Sequence, residues 1–94
     1  QLNVPDFVFA EDYALRPLAE VQAFIDENSH LPEVPSEADI KANGVDMTAM
    51  QMTLLKKVEE LTLYTLKQET ELRELRALKT QVARIEALLS EQVK

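Results

Sequence analysis

The sequence predicts an all-α fold: a parallel homotrimeric coiled coil with an N-terminal helical collar, made of two short helices and an extended arm, packed on its first half. Three observations predict it. The stretch from Asp46 to about Gln92 holds no proline and no glycine. Its apolar residues recur at spacings of four and three through Leu54, Val58, Leu61, Leu72 and Leu75, the pattern of a helix that seeks copies of itself. Finally, extra apolar residues crowd the outside of that helix only between about residues 47 and 66, where a covering segment is needed. At 1.5 Å per residue such a helix runs for about 70 Å. A chain of 94 residues cannot bury it alone.

The division that follows is a cap over residues 1–44 and a coiled-coil helix over 45–94. Within the cap, Pro5 pushes Val4 towards an extended conformation, so Val4–Phe9 is expected to be an extended arm. Glu11-Asp12-Tyr13 reads as a solvated turn, since adjacent acids rarely converge on a metal or a substrate without a third ligand. Pro17 suits the first position of a helix. Leu18, Val21, Phe24 and Ile25 then recur at helical spacing, with Glu20, Gln22, Asp26 and Glu27 on the other side. That helix should end near Asn28 or Ser29. His30, the only histidine, has neither a nucleophile nor a second ligand near it in sequence. A hydrogen-bonded role at the helix end is expected rather than catalysis or metal binding.

Pro32 and Pro35 predict an extended link. Ser36 and Asp39 resemble a capping box with aspartate in place of glutamate, opening a short helix from Glu37 to about Asn43. Gly44, the only glycine, suits a left-handed position after it. Asp46 is a good N-cap for the long helix.

With Leu54 at heptad position d, the interface of the coil reads Leu54, Val58, Leu61, Thr65, Gln68, Leu72 and Leu75. A strict continuation would bring Lys79 and Glu86 inside. The apolar set moves instead to Leu78, Val82, Ile85 and Leu89, and the gaps of three through Leu72, Leu75 and Leu78 amount to a stammer. After the shift, Leu75 and Leu89 lie at a while Leu78 and Ile85 lie at d. Leucine at a with isoleucine at d leans towards trimers or tetramers over dimers. Thr65 and Gln68 make two adjacent polar layers, expected to pin the register; a water or ion on the axis, or mere tolerated polarity, are the alternatives. Glu71 with Arg76 and Glu74 with Lys79, each five apart, are the g-to-e′ pairs of a parallel coil. Exposed pairs of that kind contribute a few tenths of a kcal/mol each, enough to bias orientation but not to drive assembly.

Outside the seam, Met50, Met52, Leu55, Leu63, Tyr64 and Leu66 are too many apolar groups for a bare rod. The cap offers Phe7, Phe9, Leu18, Val21, Phe24 and Ile25 to cover them, so it is expected to fold back onto Leu55, Leu63, Tyr64 and Leu66 of its own or a neighbouring subunit.

Charge and composition exclude several functions. Residues 1–44 carry nine acids against Arg16 and Lys41, whereas residues 45–94 carry eight acids and eight bases. An acidic cap on a neutral rod repels phosphate backbones, so no nucleic-acid partner is expected. A zipper-type DNA-binding dimer would need a basic stretch where Asn43-Gly44-Val45-Asp46 stands. The absence of cysteine rules out disulfides, thiolate nucleophiles and zinc–thiolate sites. No apolar run approaches the roughly 18 residues of a membrane span. No cofactor, metal or catalytic residue is expected. The chain starts at Gln1, without a methionine or signal peptide, and reads as the C-terminal piece of a longer protein.

Taken in order, Val4-Pro5-Asp6-Phe7-Val8-Phe9, Glu11-Asp12-Tyr13, Leu18-Ala19-Glu20-Val21, His30-Leu31-Pro32-Glu33-Val34-Pro35-Ser36, Asn43-Gly44-Val45 and Lys57-Val58-Glu59-Glu60-Leu61-Thr62-Leu63-Tyr64 form an ordered string. It resembles a C-terminal module of long, repetitive surface or tail-fibre-like proteins of Bacteroidetes bacteria and their phages. The resemblance covers about residues 4–68. It implies a module that follows a fibrous stalk, on a cell surface or a virion tail fibre, and trimerises or folds it. The module is similar in position to the intramolecular chaperones that end tail fibres and endosialidases. Some of those cleave themselves with a serine and a lysine, but Ser29, Ser36 and Ser90 lack the matching context, so self-cleavage is not carried over. Implied partners are further copies of the chain and the upstream fibre segments. The main alternative is a tip module that binds a receptor or another fibre component through its acidic cap.

Overall fold

The structure, a computed structural model, describes residues 5–92. Among them the chain is helical without a strand: a 3₁₀ turn at Pro5–Phe9, then α1 (Leu18–Asn28), α2 (Glu37–Asn43) and α3 (Met47–Gln92). The chain divides into two units, Gln1–Thr62 and Leu63–Lys94, and α3 contributes to both.

In the first unit, the extended arm is corrected to a 3₁₀ turn over Pro5–Phe9; Val4, also assigned to the arm, lies outside the described residues. With no strand beside it to pair its backbone, the turn closes on itself: the Ala10 N–H reaches the Phe7 carbonyl at 3.1 Å and the Tyr13 N–H reaches the Ala10 carbonyl at 3.1 Å. These bonds serve backbone groups that an isolated extended segment would leave to water.

Helix α1 starts one residue later than expected, because Pro17 is its N-cap at φ −58° and ψ 142° rather than its first helical residue. The Pro17 carbonyl accepts from Glu20 at 3.0 Å and from Val21 at 3.3 Å. At the other end Ser29 adopts the left-handed conformation and its N–H bonds the Ile25 carbonyl at 2.8 Å. His30 behaves as a helix-end residue. Its Nδ1–H donates to the Leu31 carbonyl at 2.9 Å, and its ring meets Phe24 edge-on with centroids 5.4 Å apart.

The link between α1 and α2 is not extended. The Val34 N–H bonds the Leu31 carbonyl at 3.2 Å, and Glu33 has φ 68°. Proline at the second position and a positive φ at the third are the pattern of a type II β-turn. Pro32 fixes the first corner, but the third position is one that glycine normally fills, and a glutamate occupies it.

The capping box of α2 forms as its residues specify. The Asp39 N–H donates to Ser36 Oγ at 3.1 Å and the Ser36 N–H to Asp39 Oδ2 at 3.2 Å. Ser36 holds the Asp39 carboxyl below its usual range, through its hydroxyl foremost and then through its N–H. Gly44 has the positive φ expected of it, 72°, but with ψ −171° the backbone is not left-handed helical. Its N–H still closes α2 onto the Ile40 carbonyl at 2.8 Å. Asp46 caps α3 by accepting from the Ala49 N–H at 3.1 Å.

The unit has little interior of its own. Among the described residues Val8, at 1% exposure, is its only buried hydrophobic, joined by Pro32, and neither α1 nor α2 buries a residue. In the second unit every described residue beyond Tyr64 is exposed. Thr70 and Thr80 return their hydroxyls to the carbonyls of Leu66 and Arg76 at 3.2 and 3.1 Å, satisfying themselves within the helix. Arg73 pairs with Glu69 at 3.4 Å, one turn away and largely exposed, a contact that contributes little.

Candidate oligomerisation face

Helix α3 carries two faces in the first unit, and burial separates them residue by residue. From Met50 to Thr62, with Leu54 at d, each residue at b, c, f or g is half-buried or buried, and each at a, d or e is exposed. The cap therefore lies on one side of the helix and leaves the heptad stripe open. Leu54 is 47% exposed, Val58 58% and Leu61 63%, values far from those of core leucines and valines.

The stripe continues in the second unit. Leu72, Leu75, Leu78, Val82, Ile85 and Leu89 are each between 46% and 60% exposed, and Thr65 and Gln68 are exposed as well. The eleven positions marked by the heptads are thus brought onto one helix and all lie open in the single chain.

The residues assigned to the covered side divide. Met50, Met52, Leu63 and Tyr64 are half-buried, as are Val21 and Phe24 of α1. Leu55 and Leu66 remain exposed, at 38% and 57%, with Phe7, Phe9, Leu18 and Ile25 at 48%, 52%, 45% and 36%.

What fastens the cap to α3 is a polar chain that local sequence pattern does not reveal. Lys56 Nζ lies 2.6 Å from Glu33 Oε2, and Lys57 Nζ lies 3.0 Å from Glu33 Oε1. Lys57 also reaches Glu60 Oε1 at 3.1 Å, and the Tyr13 hydroxyl donates to Glu60 Oε2. Charges thus alternate from Lys56 through Glu33 and Lys57 to Glu60, and a phenol ends the series. Lys56 Nζ stands 5.7 Å from the centroid of the Phe7 ring, within cation–π range, and that ring lies 5.9 Å from the ring of Tyr13. Three cap segments are fastened this way: the 3₁₀ turn through Phe7, the following loop through Tyr13, and the β-turn through Glu33. The hydrogen bond from Lys56 holds the Glu33 carboxyl below its usual range; partial burial opposes the shift, and Lys57 reinforces it.

Beside this chain sits Glu59, 9% exposed. Among the described residues its Oε1 has no hydrogen-bond partner. Burial pushes its carboxyl up, and the charge of Asp6 and a hydrogen bond with it push it further. Among the described residues no group of three or more histidine, aspartate or glutamate side chains is placed to hold a metal ion. None of their helices is long and apolar enough to cross a membrane.

The signal that could have found the anchors is the charge of α3's outer face. Lys56, Lys57, Glu59 and Glu60 interrupt an apolar run at b, c, f and g, where the covering segment had to meet them. Comparison with protein-family models, with curated proteins and with solved structures finds no match for this chain.

Proposed function

We propose that this chain is a non-enzymatic trimerisation and folding module at the C-terminal end of an extracellular or phage fibre, and that it sets the register of the strands it joins. One observation carries the reading: the heptad stripe of α3 is left open while the cap covers the b, c, f and g side of the helix. A segment that evolved merely to solubilise a helix would cover its most apolar stripe first, because each buried leucine contributes about 2 kcal/mol. This cap instead takes b, c, f and g and spares a, d and e.

Assembly then proceeds by mass action and zippering. The Thr65 and Gln68 layers align the strands, and upstream fibre segments inherit that alignment. Leu61→Asp tests the reading, since it places a charge in the seam and leaves the cap's anchors untouched. The wild-type chain should sediment at three times its monomer mass at micromolar concentration, and the variant at monomer mass. A variant that assembles like wild type would refute the seam as the interface.

A further inference from the structure

A shallow, open cavity of about 180 Å³ lies at the elbow between α2 and α3, walled by Pro35, Val45, Ala49, Met50 and Thr53, with Gly44 and the capping Asp46 at its polar edge. No described residue fills it, and Val45 on its wall is 41% exposed. A void of about 150 Å³ with apolar walls accepts a benzene, so this one has room for the four carbons of a leucine.

The heptads identify which leucine. Met50, on the wall, is at g, and in a parallel in-register coil a g residue faces the e residue five positions later on the neighbouring helix. That residue is Leu55. It is 38% exposed in the single chain, on the side the cap leaves bare. The e row of the first unit carries no charge at all: Thr48, Leu55 and Thr62, where free coiled coils usually place glutamate or lysine. A bare, uncharged e side and a g side overlaid by the cap are complementary, and they match one copy to the next around a ring.

We propose that Leu55 of one copy seats in the α2–α3 elbow cavity of its neighbour, so that each cap closes over two helices, its own and the next. This rests on the trimeric coiled-coil reading and goes beyond it. The cap becomes an inter-subunit clasp that exists only in the assembled state. Loose association through the stripe and locked association through the clasp are then separate steps.

The chain is free of cysteine, which allows a clean cross-linking test with Val45→Cys and Leu55→Cys. In one chain these residues are too far apart to bond, since Val45 precedes α3 and Leu55 lies more than two turns into it. Under mild copper–phenanthroline oxidation the double variant should run as a covalent trimer on a non-reducing denaturing gel, and each single variant as monomer. Sedimentation of the same samples before oxidation keeps the two ideas apart. A trimer mass without cross-linking overturns the docking of Leu55 and leaves the trimer standing. A monomer mass overturns both. A covalent dimer from Leu55→Cys alone would put e positions together and also overturns the docking. As a second readout, Leu55→Glu should raise the concentration of half-assembly at least tenfold. Thr62→Glu, at the next e position and away from the cavity, should change it less than threefold. Equal effects from the two would refute the proposal.

Discussion

Glu33 carries two opposed contributions that substitution can separate. Its φ of 68° costs a residue with a side chain about 1–2 kcal/mol, and glycine avoids that cost. Against it stand the ion pairs to Lys56 and Lys57 at 2.6 and 3.0 Å. The Glu33 side chain is 42% exposed, so solvent screening holds each pair to about 0.5 kcal/mol. Glu33→Gln keeps the backbone cost and loses the charge, and should destabilise by about 1 kcal/mol. Glu33→Gly loses the charge and relieves the backbone, and should come out level with wild type or slightly above it. The assay is thermal unfolding followed by circular dichroism at one fixed chain concentration, because assembly makes the midpoint concentration-dependent. In a domain of this size 1 kcal/mol corresponds to about 4–8 °C, so the glycine variant should melt at least that far above the glutamine variant. A glycine variant that melts at or below the glutamine variant would refute the idea of a strained turn held by charge. The sign with pH follows from the lowered carboxyl of Glu33. Its contribution is complete above the unfolded-state value near 4.5 and disappears as pH falls through the lower folded value. The gap between wild type and Glu33→Gln should therefore close in acid.

Glu59 should behave in the opposite sense. Its raised carboxyl favours the fold below the unfolded-state value and loses that contribution as pH rises through the folded one. Glu59→Gln should accordingly raise the melting temperature at pH 7.5, with the advantage vanishing near pH 4; an equal advantage at both pH values would contradict the assignment. Replacing both polar layers, as Thr65→Val with Gln68→Leu, should raise thermal stability but let native mass spectrometry resolve more than one oligomer. A single clean species would show that the layers do not set register.

The parts of the fold that were legible in the sequence are those fixed by neighbours in the chain. The capping box of Ser36 and Asp39, the Asp46 cap, the end of α1 near Asn28 and the length of α3 each depend on residues within one turn. Pro5–Phe9 and the Pro32–Pro35 link depart from the extended form their prolines suggest because their backbone is settled elsewhere. Pro5 and Pro32 each fit an extended chain or a turn, and what selects the turn is Phe7 beside Lys56 and Glu33 on Lys56 and Lys57. Those partners are separated by 23 residues or more, beyond any local pattern. The open stripe was legible from period alone. The side of the helix that the cap takes is a matter of tertiary contact, and only Lys56, Lys57, Glu59 and Glu60 at outer positions hinted at it.

The trimer, its register layers and the inter-subunit clasp all depend on α3 meeting copies of itself through the stripe of Leu54, Val58 and Leu61. Sedimentation equilibrium of the unmodified chain across micromolar concentrations is the direct test. A single species at three times 10.7 kDa is the predicted result. A stable monomer over the whole range would contradict the account.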